Sequence, residues 1–182
     1  MPEIILFIAL SVPILYVSRH SLTERQSHGF YRFFAWEFIL ALFVLNYPQW
    51  FWEPFAFHQL ISWVLLGLSI YLVSAGFWLL KMSGRSSNRA EQPANLAFEN
   101  TTSLLTNGIY RQIRHPMYSS LLFLNWAIFL KNISLLAFAL ALVASAFLVL
   151  TARKEEKENI QYFGAAYAIY MKHSKMFIPY IL

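Results

Sequence analysis

Apolar runs alternate with short polar breaks along most of the chain, and one long polar stretch interrupts them. The first run, Ile4 to Val17 with Pro13 inside it, gives way to a polar stretch from Ser18 to Gly29. An aromatic-rich run, Phe30 to Leu45, then ends at Asn46, Tyr47 and Pro48. The turn through Trp50, Trp52 and Pro54 suits a membrane interface, where tryptophan and tyrosine concentrate. Leu60 to Leu80 is long enough for a crossing, which takes about 20 residues. Lys81 to Arg114 is polar, after which Tyr118 to Leu130 and Ser134 to Leu150 form an apolar pair joined at Lys131 and Asn132. The pair reads as a helical hairpin whose first arm is short for a full crossing. The pattern predicts an all-α polytopic membrane protein with about five spans, one long polar loop before the hairpin, and an amphipathic helix in the tail beyond Thr151.

Composition agrees with the bilayer as solvent. Hydrophobic residues make up 58% and charged residues 13%, against roughly 25% charged in an ordinary soluble domain. The first run lacks a basic flank and a small-residue cleavage site, which argues against a removable signal peptide. With no cysteine, disulfides, thiolate metal sites and a cysteine nucleophile are excluded. His20, His28, His58 and His173 show no metal-ligand spacing. No internal repeat or second domain is visible: residues 1–182 read as one unit, with three spans in 1–80 and the chemistry in 81–182.

Charge then orients the spans. Arg19, Arg25 and Arg32 flank the first connection. Lys81, Arg85, Arg89, Arg111 and Arg114 belong to the third, and Arg153, Lys154, Lys157, Lys172 and Lys175 to the tail. Of the 14 basic residues only Lys131 falls on the opposite side. The positive-inside rule makes the crowded face cytoplasmic and puts the N-terminus outside. The formal charge of +5 is therefore a membrane-facing pattern, and nucleic acid is not implied.

Both informative polar segments lie on that face. The first, Asn107 to Tyr118, reads N-G-I-Y-R-Q-I-R-H-P-M-Y. Proline has a fixed φ and no N–H, so Pro116 suits the first position of a helix. The free N–H groups of the next residues would make an anion site at the cytosolic mouth, beside Arg114, His115, Tyr110 and Tyr118. The same residues also fit plain interfacial anchoring of a helix end. The second segment is Arg153-Lys154-Glu155-Glu156. On a continuous helix, Glu156, Ile160, Phe163, Tyr167 and Tyr170 form one stripe. Alone it reads as a solvated charge run; beside the junction it reads as a site.

Together these residues carry a resemblance. Gly108, Tyr110, Arg114, His115, Pro116, Tyr118, Glu155, Glu156, Phe163, Gly164, Tyr167, Tyr170 and Pro179 stand at the spacing of the isoprenylcysteine carboxyl methyltransferase family, which is related to the phospholipid methyltransferases. The chain resembles that family over about its C-terminal half. The resemblance implies S-adenosylmethionine as cofactor, contacted by Asn95, Thr102, Ser103, Leu104, Leu105, Tyr110, His115, Pro116, Met117 and Tyr118. It implies catalytic roles for Arg114, Glu155 and Glu156, with Glu155 also at the substrate end. It further implies a lipophilic acceptor entering from the bilayer, with carboxylate O-methylation as the family's leading chemistry. Phospholipid amine N-methylation and thiol methylation are the alternatives.

The chain departs from the pattern at three positions. Thr151 stands where members acting on prenylcysteine carry an arginine, and Arg153 lies two residues further along. Thr102 replaces a common histidine, and Ser120 a glycine. Arg153 joins Glu155 and Glu37 as a substrate-side candidate. Glu37 lies within the second run, where a carboxyl group is costly and often functional; it also fits a pair with Arg32 or Arg85, or a protonated state. Asn125 is suited to a helix–helix hydrogen bond. Sterol reductases that use NADPH share an Arg-His-Pro-x-Tyr element, but Met117, Ser119 and Ser120 stand where they carry other residues. An inactive membrane adaptor is the non-enzymatic reading. No Gly-x-x-x-Gly motif indicates an oligomeric state.

Overall fold

A computed structural model describes residues 2–83 and 103–181. Within these residues six α-helices follow one another: α1 (Pro2–Thr23), α2 (His28–Asn46), α3 (Phe57–Ser83), α4 (Pro116–Phe129), α5 (Leu135–Phe163) and α6 (Ala165–His173). Among the described residues no strand forms. A single parallel bridge joins Ile113 to Lys175.

The apolar runs become helices that extend past the runs themselves. Ser27 starts α2, its Oγ accepting from Phe30 N–H, and Ser134 starts α5 in the same way from Ala137. A hydroxyl at this position satisfies one of the otherwise orphaned N–H groups of a first turn. Small residues then let α2 and α5 pack closely. Ala35 on α2 and Ala137, Ala141 and Ala144 on α5 have no exposed surface, and Ile39, Leu42 and Leu148 fill the seam between them. Phe34 and Phe38 of α2 stack on Phe147 at centroid distances of 5.3 and 5.6 Å. Helix α1 packs against α2, and Ile4, Ile8, Val12 and Leu15 remain exposed. Such a face needs hydrocarbon around it.

Among the described residues four helical stretches are long and apolar enough to cross a membrane: Pro2–Thr23, His28–Gln49, Phe57–Met82 and Leu135–Phe163. The fifth expected span differs. Helix α4 has 14 residues, about 21 Å at 1.5 Å per residue, against a hydrocarbon core of about 30 Å. Its length is set at both ends. Pro116 cannot continue a helix backwards, and the carboxyl end is held by side chains of neighbouring helices. Asn46 Nδ2 donates to Ile128 O at 2.8 Å and to Asn132 O at 3.2 Å. Ile128 O also accepts from Lys131 N–H at 3.1 Å, so the last turn is tied to α2 as well as closed on itself.

The same end of the bundle holds Lys131. Its side chain is 2% exposed, with Nζ donating to Gln59 Oε1 at 3.0 Å and lying 3.2 Å from the Trp63 ring centroid. Desolvation lowers this ammonium to a pKa of about 8. Helix α4 is held laterally as well. Ser62 Oγ of α3 donates to Ala127 O at 2.8 Å, and Asn125 Nδ2 reaches Ala141 O on α5 at 2.9 Å. The Asn125 bond is the helix–helix contact that its position indicated. At the opposite end, Glu158 on α5 accepts from both the backbone N–H of His28, at 3.0 Å, and its ring nitrogen, at 2.6 Å.

Candidate active site

The junction before α4 is built around a turn that only glycine adopts freely. Gly108 has φ +54°, and a Cβ there would stand 2.6 Å from Leu79 Cδ1. This close approach seats the turn Gly108–Arg111 on α3. Tyr110 is then fixed from two sides, its hydroxyl on Gly76 O at 3.5 Å and its carbonyl accepting from Tyr170 Oη at 2.5 Å. Gly76 itself faces Pro116, whose Cγ a Cβ would approach to 3.2 Å, so α3 lies close against the start of α4.

A strap from the tail completes the junction. Arg114 N–H donates to Lys175 O at 2.7 Å and His115 N–H to Met176 O at 3.2 Å, while Lys175 N–H returns to Gln112 O at 2.9 Å. Ser119 Oγ donates to Phe177 O at 2.8 Å, and Phe177 is wholly buried beside Tyr118 and Ala152. The strap thus occupies backbone groups just before α4 and leaves the helix start facing α5.

Arg114 and Glu156 form a buried pair. Nε lies 2.7 Å from Glu156 Oε1, with the side chains 9% and 8% exposed. The guanidinium also donates through Nη1 to the carbonyls of Met171 and Ser174. His115 stacks on Tyr118 at 5.4 Å. Its Nδ1 is 3.8 Å from Glu155 Oε2 and its Nε2 is 3.5 Å from Glu156 Oε1. Both distances exceed an ordinary hydrogen bond, and Nε2 is buried with no hydrogen-bond partner.

An open cleft borders these groups. Its walls are the segment before the junction (Ser103, Leu104, Leu105), the junction with the first turn of α4 (Tyr110, Arg114, His115, Pro116, Met117, Tyr118) and Leu80 of α3. Glu155, Asn159 and Phe163 of α5 and Tyr167 and Tyr170 of α6 close the rest. Burial, reinforced by the charges of Glu155 and Glu156, pushes the Tyr167 hydroxyl far above its ordinary range. Burial raises Tyr170 to about 12. Both remain proton donors at neutral pH.

Most of the expected site residues therefore meet at one place. Asn95 and Thr102 lie outside the described residues. Glu156 sits behind the cleft wall, paired with Arg114. Arg153 is exposed on α5 and does not line the cleft. Glu37 lies at the α1–α2 contact, accepting from Ser11 Oγ at 2.7 Å, and is also absent from the lining. The expected stripe through Glu156 and Ile160 is replaced by Glu155, Asn159 and Phe163, while Ile160 is 41% exposed. Glu156 is instead turned behind the wall by its buried pair with Arg114, while Gly164, with φ +59°, ends α5 and starts the α6 that carries Tyr167 and Tyr170. Asn159 and Leu80 were not anticipated. Asn159 had a readable signal in its four-residue spacing from Glu155 and Phe163.

The donor set fits S-adenosylmethionine. The amino end of α4 attracts an anion, Glu155 supplies negative charge for a cationic centre, Phe163 and Tyr167 offer aromatic surface, and the His115 ring, stacked on Tyr118, lines the cleft between them. Among the described residues no cluster of three potential metal ligands occurs.

Over 119 residues the chain is 28% identical to a methanethiol S-methyltransferase from Pseudomonas deceptionensis, covering 65% of this chain and 42% of that protein. The chain thus spans less than half the length of that curated relative. No solved structure matches it. Residues 58–166, more than half of the chain, match the model of the phospholipid methyltransferase family, which includes α4 and the whole of α5. The chain belongs to the phospholipid methyltransferase family.

Proposed function

We propose that the protein is an integral-membrane methyltransferase that uses S-adenosylmethionine to methylate a lipophilic acceptor. The observation that carries this reading is the convergence of the α4 amino end, Glu155 and the Phe163–Tyr167 wall on one cleft. When bound, the cofactor supplies a methyl group on a positively charged sulfur, which transfers by in-line displacement. The chain's residues contribute alignment and a dry setting. Met117 and Tyr118, in the first turn of α4, offer backbone donors for the cofactor's carboxylate, and the His115 ring borders them in the cleft wall. Arg114 and Glu156 hold that turn in register with α5.

Charge favours an acceptor that enters neutral and loses a proton. Apart from His115, Arg114 is the cation in the cleft wall among the described residues, and it is already paired with Glu156 and two backbone carbonyls. Thr151 is buried and donates to Phe147 O of its own helix at 2.7 Å, so it offers no cation for a substrate carboxylate. Glu155 has an accessible carboxylate to take a proton from a thiol or amine. A thiol acceptor accords with the relative named above. Carboxylate O-methylation, the resemblance's leading chemistry, is the reading that this charge balance disfavours.

In the bilayer the chain makes five passes, with α4 as a short fifth. Its start adjoins Gly76 and the strap, and its end adjoins Asn46 and Gln59. The basic face, carrying the cleft, is cytoplasmic and the N-terminus outside.

Calorimetric titration of detergent-purified protein with S-adenosylhomocysteine tests the cofactor. Binding by the native chain, lost in His115→Ala combined with Glu156→Ala, is the expected result. An absence of native binding, or binding that survives both changes, overturns it. Radiolabelled methyl transfer into thiol, amine and carboxylate lipids tests the acceptor, and label in the carboxylate alone would contradict the charge argument.

A further inference from the structure

Glu155, Asn159 and Phe163 follow one another at four-residue steps on α5, about 6 Å apart along its axis. All three line the cleft, whose two ends differ in kind. At the Glu155 end stand the amino terminus of α4 and His115, groups that bear or attract charge. At the Phe163 end, Phe163 and Tyr167 lie with centroids 6.4 Å apart and planes 18° from parallel, an aromatic surface for a planar base. Asn159 is half-buried between them, and its side chain reaches the Tyr167 hydroxyl.

A carboxylate only accepts hydrogen bonds and an ammonium only donates them. An asparagine amide does both from one planar group. It can therefore serve adjacent hydroxyls without adding charge. S-adenosylmethionine carries charge at its amino-acid end, a planar base at the other, and a ribose with two neighbouring hydroxyls between them. We infer that Asn159, flanked by Tyr167, is the residue that recognises the cofactor's ribose. The inference rests on the cofactor reading above and adds to it a specific residue and a specific part of the molecule. It also fixes the ligand's direction in the cleft: the base lies toward α6 and the sulfonium toward Glu155.

Calorimetry with three ligands tests it: S-adenosylhomocysteine, its 2′-deoxyribose analogue, and its hypoxanthine analogue. The native protein prefers ribose over deoxyribose by about tenfold, the loss expected for one hydrogen bond. Asn159→Leu binds the two sugars equally and leaves the preference for adenine over hypoxanthine unchanged. Asn159→Asp, nearly the same shape and still an acceptor for a hydroxyl, keeps a preference for ribose and guards against a folding artefact. A leucine variant that retains the sugar preference, or loses base discrimination instead, overturns the assignment. Failure of the native protein to bind any of the three ligands would instead overturn the cofactor reading.

Discussion

Arg114 and Glu156 meet at 2.7 Å across 42 residues, with both side chains more than nine-tenths buried. Each ion is costly to desolvate, so the pair is stable only while both partners are present. Removing one leaves an uncompensated buried charge. Glu156→Ala and Arg114→Ala are each expected to destabilise the protein by about 3–5 kcal/mol, and Arg114→Met with Glu156→Leu by far less than their sum. Thermal or denaturant unfolding in detergent reads this directly. Full additivity would show that the pair does not act as a unit.

Glu155 is expected to behave differently, because its carboxylate is 26% exposed and makes no contact shorter than 3.8 Å to His115. Under the proposed function, Glu155→Gln lowers turnover of a thiol or amine acceptor by about 100-fold or more, the usual size of a lost general base. Unfolding stability stays near that of the native chain. Raising the pH with a thiol acceptor restores part of the rate, since more of the acceptor is then already ionised. A variant as fast as the native protein would remove Glu155 from the chemistry.

Two glycines separate strain from crowding. Gly164 has φ +59° with no atom within 4 Å of an added Cβ, whereas Gly108 has φ +54° and Leu79 Cδ1 at 2.6 Å. Gly164→Ala is expected to cost only the backbone strain, about 1–3 kcal/mol. Gly108→Ala costs more, and Leu79→Ala in the same chain recovers part of the excess. Unfolding midpoints of the three variants test the ordering.

Lys131 predicts a pH effect. Burial holds its ammonium at about 8 in the folded chain, against 10.5 when solvated. Between those values the unfolded chain binds more protons than the folded one, so this group makes stability rise with pH from about 8 to 10.5. Lys131→Met, which cannot titrate, flattens that part of the curve. A native curve that falls across the window would reverse the sign and refute the assignment.

What was legible in the sequence follows from periodicity. The long apolar runs became α1, α2, α3 and α5 because hydrophobic length alone specifies them, and Pro116 marked the start of α4 through its missing N–H. The cleft residues around His115 and Glu155 were legible because their types and spacing repeat a recognisable pattern. The strap was not. Residues 174–177 hold the junction through backbone hydrogen bonds, to which side-chain identity contributes little. The pairing that turns Glu156 from the cleft joins residues 42 apart, and local periodicity carries no sign of it. Gly164 is followed by Ala165 and Ala166, good helix formers, so the break between α5 and α6 leaves no mark in the hydrophobic pattern.

The strap also bears on when the site can exist during biosynthesis. It joins residues 112–115 to residues 174–177, and α4 and α5 lie between those two segments in the chain. The strap therefore closes only after the helical pair between the two segments has folded back. A nascent chain that has not yet made that fold has no completed cleft, and under the proposed function it cannot yet hold its cofactor.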